Sequence, residues 1–311
     1  MHIQKFPWQD YLAPKFWPSW FGLAIMRFLA ILPYRIQLFI GKVIGELFYR
    51  LARYRREITQ ANIRLCFPEL SSQEQENLVR SNFHSSGISI SETAMSWWGR
   101  EKTLRKLLRF KNIEVIDECL EQGKGVILLG AHYTTLEISG RLFTLDNKFA
   151  ASYQPFKNPL FNHITLHARE KFFDQIFERH EIRQTFRYIK QNNLMWIASD
   201  QDANVENSIF APFFGHVAST QTVPSRIAKV TKAPIIPYIS RRLENAQGYE
   251  LEFYPPLENF PGDSLEEDAT RINKILEELI RKAPEQYLWM HRRFKTRPPG
   301  MPQIYPEKRK K

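Results

Sequence analysis

Gly125-Val126-Ile127-Leu128-Leu129-Gly130-Ala131-His132-Tyr133-Thr134-Thr135-Leu136-Glu137 is the stretch on which the reading of this 311-residue chain turns. Its first half is a short, fully apolar run bounded by glycines, the pattern of a parallel strand buried on both faces. Its second half leads into a helix expected over Glu137 to Phe143. His132 therefore falls just past the carboxyl end of a buried strand, where open α/β sheets hold their ligands. A carboxylate, Glu137, follows five positions later. On the first turns of the helix it is expected to reach back to one imidazole nitrogen and fix the tautomer, leaving the other nitrogen as a general base. Such a pair is the base-and-orienter half of a catalytic triad and requires no serine or cysteine nucleophile. It suits removal of a proton from a hydroxyl as that hydroxyl attacks an acyl group. By spacing alone, a hydrogen-bonded turn histidine beside a solvated glutamate explains the same letters, because short motifs recur by chance.

Outward from this stretch, strands and helices alternate. Leu194 to Ala198 and Ile235 to Ile239 read as further buried strands, and the alternation in Gly248 to Tyr254 reads as an edge or antiparallel strand. Phe161 to Phe177 and His180 to Asn192 have helical period. Ser264, with Glu267 three residues on, opens a last helix through Lys282. Upstream, residues 57–110 look helical, and Ser71-Ser72-Gln73-Glu74 is a capping box. Trp97 and Trp98 are adjacent and so point in different directions on a helix, one toward a groove and one into packing. The expected fold class is α/β: a mostly parallel central sheet with helices on both faces, preceded by an N-terminal membrane-associated helical region. The expected division is residues 1–56 as a membrane-anchoring helical region and 57–311 as the catalytic domain.

Composition narrows the partners. Mean hydropathy is -0.41, which excludes a polytopic membrane protein. The net charge of +11 points to an anionic partner: nucleic acid, phosphorylated lipid, a membrane surface or an acidic protein. Aromatic residues at 14%, seven of them Trp, suit an interfacial or acyl-binding protein better than a nucleic-acid module. Two cysteines, Cys66 and Cys119, make no disulfide framework or Cys-based metal site, and a reducing compartment is expected. Phe16 to Leu32 is apolar but short for a straight span and contains Arg27; a second apolar stretch, Gln37 to Tyr49, follows Pro33. An ordinary buried helix, a tilted span and an interfacial anchor all fit. Arg50, Arg53, Arg55 and Arg56 favour the membrane readings, since apolar surface plus basic charge is the two-signal arrangement of stable attachment. No cleavage site follows, so no removed signal peptide is read. The chain's last residues, Lys308 to Lys311, read as a frayed basic end.

Several blocks carry a resemblance. They are the stretch around His132, Tyr153-Gln154-Pro155-Phe156-Lys157-Asn158-Pro159-Leu160, Asp200-Gln201-Asp202, Ala211-Pro212-Phe213-Phe214-Gly215, and the opening Leu12-Ala13-Pro14-Lys15-Phe16-Trp17. The most specific is Gln286-Tyr287-Leu288-Trp289-Met290-His291-Arg292-Arg293-Phe294-Lys295-Thr296-Arg297-Pro298, whose aromatic and basic residues stand in a long fixed order. Together they resemble the late acyltransferases of lipid A biosynthesis, the lauroyl, myristoyl and palmitoleoyl transferases, which share an H-x4-D/E motif with glycerolipid acyltransferases. The resemblance covers nearly the whole chain. It implies transfer of a fatty acyl chain, lauroyl first, from acyl carrier protein to a hydroxyl on an acyl chain of a Kdo-bearing lipid A precursor. It also implies an enzyme on the cytoplasmic side of the inner membrane that contacts membrane lipid and needs no metal or redox cofactor. An acidic carrier protein and a phosphorylated acceptor both match a chain of net charge +11.

On this reading His132 is the general base and Glu137 its orienting partner. Substrate binding is assigned to Arg169, where similar proteins place an arginine near the active site, to Asp200 and Asp202 at a strand end, and to Arg292 and Arg293. Each has a plain structural alternative: a solvated helix arginine, turn caps, or a basic surface near the bilayer. Two positions depart from the family pattern. Ala203-Asn204 replaces the usual aromatic-glycine, and Gln154 stands where arginine is commoner. His163 and His167, with Glu170, have helical metal-ligand spacing but lack the glutamate of H-E-x-x-H and a fourth ligand. Two rivals complete the field. A glycerol-phosphate acyltransferase lacks support from phosphate-binding blocks, and a basic RNA-binding module leaves His132, Glu137 and the buried strands unexplained.

Overall fold

The computed structural model describes residues 7–178, 180–203 and 208–307. Helices come first: α1 (Trp17–Leu29), α2 (Tyr34–Leu51), α3 (Arg53–Cys66) and the 27-residue α4 (Ser72–Trp98). At the start of α4, Ser71 accepts from the Glu74 amide while the Glu74 carboxylate takes the Ser71 amide, the reciprocal cap expected there. Next come α5 (Glu101–Arg105), β1 (Leu108–Lys111), α6 (Glu114–Leu120), β2 (Val126–Gly130), α7 (Leu136–Phe143) and β3 (Phe149–Tyr153). They are followed by α8 (Pro159–Glu170), β4 (Gln175–Glu178), α9 (Ile182–Lys190) and β5 (Leu194–Ala198). The chain then forms a hairpin of β6 (Ser208–Phe213) and β7 (His216–Gln221), and continues through α10 (Val223–Thr231), β8 (Ile235–Arg242), β9 (Tyr249–Phe253) and α11 (Leu265–Lys282).

Seven strands make the main sheet in the order β1-β9-β8-β2-β5-β3-β4. β8, β2, β5, β3 and β4 are parallel, and β9 runs antiparallel to β8 with β1 parallel to it. The α/β class with a mostly parallel sheet is thus the observed architecture. β2 alternates its side chains between two buried clusters. Ile127 and Leu129 join Ile197, Ile235 and Leu276 on one face, while Val126 and Leu128 join Phe143, Phe149 and Phe253 on the other. Burial on both faces is why its sequence is unbroken hydrocarbon.

Three local expectations need correction. Tyr249–Phe253 is antiparallel, as one reading had it, but it is not an edge, because β1 pairs outside it. The residues of β1 were expected to be helical; the ladder to β9 decides them. The helix expected to reach Phe177 stops at Glu170, and Gln175–Glu178 is strand β4 on β3. A strand of 4 residues carries too little periodicity to be told from a helix end. β3 and the β6–β7 hairpin were not anticipated.

The N-terminal helices are welded to the rest through glycines. α2 crosses α4 at backbone contact: a Cβ on Gly87 would lie 2.1 Å from the Gly41 carbonyl oxygen and 2.3 Å from the Gly45 nitrogen. The opposite faces are bare. Trp17, Phe21, Ile25 and Phe28 on α1, and Ile36, Phe39, Val43, Leu47 and Leu51 on α2, are all exposed. α1 is therefore not an ordinary buried helix. Among the described residues no helix is long and apolar enough to cross a membrane.

The crossing yields a test with opposed signs. Alanine is the better helix former by about 1 kcal/mol, so propensity alone predicts that Gly87→Ala stabilises. The close approach to α2 predicts the reverse, a loss of about 2 kcal/mol or more from forcing the helices apart. Urea unfolding of the two proteins reads the sign; a gain in stability would refute the tight crossing.

Candidate active site

β2 and β5 are neighbours, paired in register so that Gly130 lies opposite Ala198. Two residues beyond each of these stand His132 and Asp200. Equal offsets past a paired rung set the two side by side at the carboxyl end of the sheet. The His132 Nδ1 lies 2.7 Å from one Asp200 oxygen, and the His132 backbone N–H donates to the other at 3.0 Å. A carboxylate only accepts, so Nδ1 carries a proton, and in the neutral ring Nε2 keeps its lone pair. Asp200 is 1% exposed, whereas the His132 side chain keeps 26% and opens onto a cavity. Burial pushes the imidazole pKa down, but the charge and hydrogen bond of Asp200 outweigh it and the net shift is upward. The carboxyl of Asp200 is held low: its burial works against the charged form, and the imidazole beside it prevails.

Glu137 does not make the expected bond to His132. It sits on the first turn of α7 facing α8, where Arg169 donates Nε to one oxygen at 3.0 Å and Nη2 to the other at 2.6 Å. The indole N–H of Trp97 on α4 adds a third bond at 3.0 Å. Burial pushes the Glu137 pKa up, but Arg169 and Trp97 carry it below the ordinary value. The orienting carboxylate of His132 is Asp200, and Glu137 is the anchor of Arg169. Both groups still line the cavity beside His132, which has a volume of about 190 Å³. Its walls are largely hydrocarbon, among them Leu136, Phe149, Phe156, Phe173 and Ile176.

The other predicted residues separate. Asp202 accepts from the backbone N–H and hydroxyl of Thr296 at 2.9 and 3.0 Å, and its own N–H donates to His291 Nε2 at 3.1 Å. Burial, first of all, lowers the His291 pKa to about 4, so its ring is neutral and free to accept that bond. Arg293 is not a substrate contact: at 1% exposure it is spent on the Ser219 carbonyl and the Thr220 hydroxyl of β7. Arg292 is half-buried, with Nη1 3.4 Å from the Tyr54 hydroxyl. Asn204, one half of the departure from the family pattern, lies outside the described residues, as do Lys308 to Lys311. Among the described residues no cluster of metal-binding side chains forms, and His163 meets the Tyr11 hydroxyl instead.

Sequence reasoning missed the buckle around the His132 turn. Residues 286–289 pair with 132–134: the Leu288 N–H donates to the His132 carbonyl at 3.0 Å and the Thr134 N–H to the Gln286 carbonyl at 2.7 Å. Asn62 and Asn82, from α3 and α4, hold the same segment by its backbone carbonyls. The Tyr287 hydroxyl donates to the Asp200 carbonyl at 3.3 Å. The assembled site can therefore accept a proton at Nε2 of the clamped imidazole when that ring is neutral, beside a hydrocarbon-lined cavity.

Comparison with known proteins follows the same line. The family described as bacterial lipid A biosynthesis acyltransferase matches residues 4–296. The chain is 33% identical over 295 residues to a lipid A biosynthesis lauroyltransferase of Escherichia coli (strain K12), covering 94% of this chain and 96% of the relative. It is 33% identical over 299 residues to the palmitoleoyltransferase of that organism, covering 96% and 97%. Against the myristoyltransferase it is 29% identical over 304 residues, covering 96% and 92%.

The site geometry makes a prediction that needs no substrate. His132 should titrate above the ordinary imidazole value of about 6.5. In Asp200→Asn the raising charge is gone and burial remains, so the midpoint should drop below that value. Nitrogen NMR of the labelled ring reads both; an unmoved midpoint would break the assigned pairing.

Proposed function

Because the chain belongs to the bacterial lipid A biosynthesis acyltransferase family, we propose that it moves a fatty acyl chain, lauroyl first, from acyl carrier protein to a hydroxyl on an acyl chain of a Kdo-bearing lipid A precursor. The observation that carries the reading is the His132–Asp200 pair opening onto a hydrocarbon-lined cavity. His132 Nε2 takes the hydroxyl proton as the alkoxide oxygen attacks the thioester carbonyl carbon. The carbon–sulfur bond then breaks, and the thiolate leaves with the proton that the imidazolium returns. Asp200 stabilises the imidazolium while it exists. The Glu137–Arg169 pair shapes the cavity wall, and its mutual neutralisation keeps a second carboxylate from competing for the proton. The acyl chain of the donor lies along Phe149, Phe173 and Ile176. The chemistry assigns no step to a metal or redox cofactor.

Charge supports the two substrates, since an acidic carrier and a phosphorylated acceptor are both drawn to a chain of net charge +11. The enzyme is placed at the inner membrane on the cytoplasmic side, and the exposed apolar faces of α1 and α2 support the membrane contact. Residues 1–56 then act as an interfacial anchor and 57–311 as the acyltransferase part. Helices with one bare apolar face lie in the bilayer interface, and Arg50 and Arg53 beside them add attraction to anionic lipid.

Purified enzyme in detergent is expected to add one acyl group to a Kdo-bearing tetra-acyl precursor when given lauroyl-carrier protein, read by mass. His132→Ala and Asp200→Asn should each lower kcat by about 10²-fold or more. The wild-type rate should fall as pH drops through the raised imidazole pKa, since only the neutral ring is a base. Full activity in His132→Ala would end the mechanism, and equal transfer to glycerol 3-phosphate would move the chain to the glycerolipid class. In vesicle sedimentation, Phe21→Glu with Phe39→Glu should cut binding at least about tenfold, the charges being costly at the interface. Undiminished binding would place the anchor elsewhere.

A further inference from the structure

A second cavity, of about 320 Å³, lies between α1, the end of α4 and α8, and the mechanism does not use it. Its walls are hydrocarbon and indole: Trp20, Leu23, Ala24, Trp97, Trp98 and Ile164. The polar residues at it are Arg27, His167 and Lys171, with no acidic side chain among its lining. Arg27 and Lys171 are exposed, and the Arg27 guanidinium stands 5.8 Å from the Trp98 ring centroid. The cavity is thus apolar inside and cationic at its edge. That pairing of properties matches an anionic amphiphile, with its chain inside and its charge at the edge.

Its position narrows the occupant further. One wall, α1, carries exposed Trp17, Phe21, Ile25 and Phe28, so the cavity sits beside the apolar face proposed to rest on the bilayer. Another wall is shared with the reaction. Trp97 lines this cavity while its N–H holds Glu137, and Ala168 lines it while the next residue, Arg169, lines the catalytic cavity. Trp97 and Ala168 thus separate this cavity from Glu137 and Arg169 in the wall of the catalytic one. The donor chain already has the hydrocarbon beside His132.

We propose that this second cavity is the acceptor's docking site. It takes one hydrocarbon chain of a phosphorylated lipid, with a phosphate against Arg27 and Lys171, and so presents a hydroxyl on a neighbouring chain to His132. The proposal rests on the acyltransferase reading above and names the part of the site that reading leaves open. Arg27 is then a phosphate contact rather than a charge carried along in an apolar helix. Trp97 becomes the partition between donor and acceptor chains.

The test uses the full chain in mixed micelles. Ala24→Phe, at an exposed helix position, narrows the cavity; Arg27→Ala with Lys171→Ala removes the edge charges. Both changes should raise KM for the phosphorylated precursor by about tenfold or more while KM for the acyl donor and kcat stay within about twofold. A precursor missing its phosphates should bind wild type and the double variant alike. In the absence of donor, a precursor with brominated chains should quench tryptophan fluorescence in wild type and much less in Ala24→Phe. Normal transfer with unchanged acceptor KM in both variants overturns the docking site and leaves the reaction standing. A raised donor KM also overturns it, by assigning the cavity to the donor chain. If wild type transfers no acyl group, the reaction reading fails, and the quenching titration alone decides whether the cavity takes an anionic lipid; absence of quenching overturns it.

Discussion

A carboxylate buried to 1% exposure beside an imidazole is the constraint around which the rest of this structure is arranged. Removing an ionised carboxylate from water costs several kcal/mol unless it is bonded and paired. Asp200 meets both with one residue: the His132 ring and the His132 backbone N–H each donate to a different oxygen, and the ring adds a positive charge when it is protonated. That double contact requires the two chains to stay in register beyond their last paired rung. The five-rung ladder between β2 and β5, buried on both faces, provides the stiffness. A slip of one residue would reverse every side chain in β2 and part the pair.

The second carboxylate clarifies the first. Glu137 stands in the same cavity but is fully engaged by the Arg169 fork and the Trp97 indole. Two carboxylates placed near one imidazole would otherwise compete for its proton or raise each other's pKa. Pairing one with a permanent cation makes it electrically quiet and leaves Asp200 alone to set the basicity of His132. The H-x4-E spacing thus does not form the expected dyad: Glu137 is a wall of the cavity and an anchor for Arg169. The arginine that the sequence reading placed near the site is there because Glu137 holds it.

What was legible in the sequence follows the range of the forces involved. Local signals succeeded: Ser71 with Glu74 caps α4, Ser264 caps α11, and the unbroken apolar runs at Val126–Gly130 and Leu194–Ala198 are strands. Short strands whose identity depends on a partner, β1 and β4 above all, carried no such signal. The same division runs through the site. His132 was legible because a strand end is a local event, and Asp200 was flagged for the same reason. Their pairing was not, because strand order is a tertiary fact: Asp200 is 68 residues downstream of His132 in sequence, but β5 is adjacent to β2 in the sheet. Arg293 misled because charge near the chain's end reads as surface, whereas Ser219 and Thr220 of β7 had already supplied buried acceptors for it.

The C-terminal block shows how the pieces depend on one another. It stood out in the sequence for its fixed order of aromatic and basic residues, and its structural work is done by backbone groups, aromatic side chains and the buried Arg293. Asn62 and Asn82 reach from two different helices to carbonyls of residues 285, 287, 289 and 291, while the same segment bonds the turn that carries His132. Trp289, fully buried, packs against Phe67 at the end of α3 and Phe214 in the turn of the β6–β7 hairpin. A displacement of α3 or α4 must therefore pull on the His132 turn through hydrogen bonds that have no water to replace them. Since α2 is locked to α4 by the glycine crossing, the bare apolar faces and the His132 turn belong to one mechanical unit. The glycine crossing and the Asn62 and Asn82 bonds therefore fix how far the His132 site stands from the exposed faces of α2.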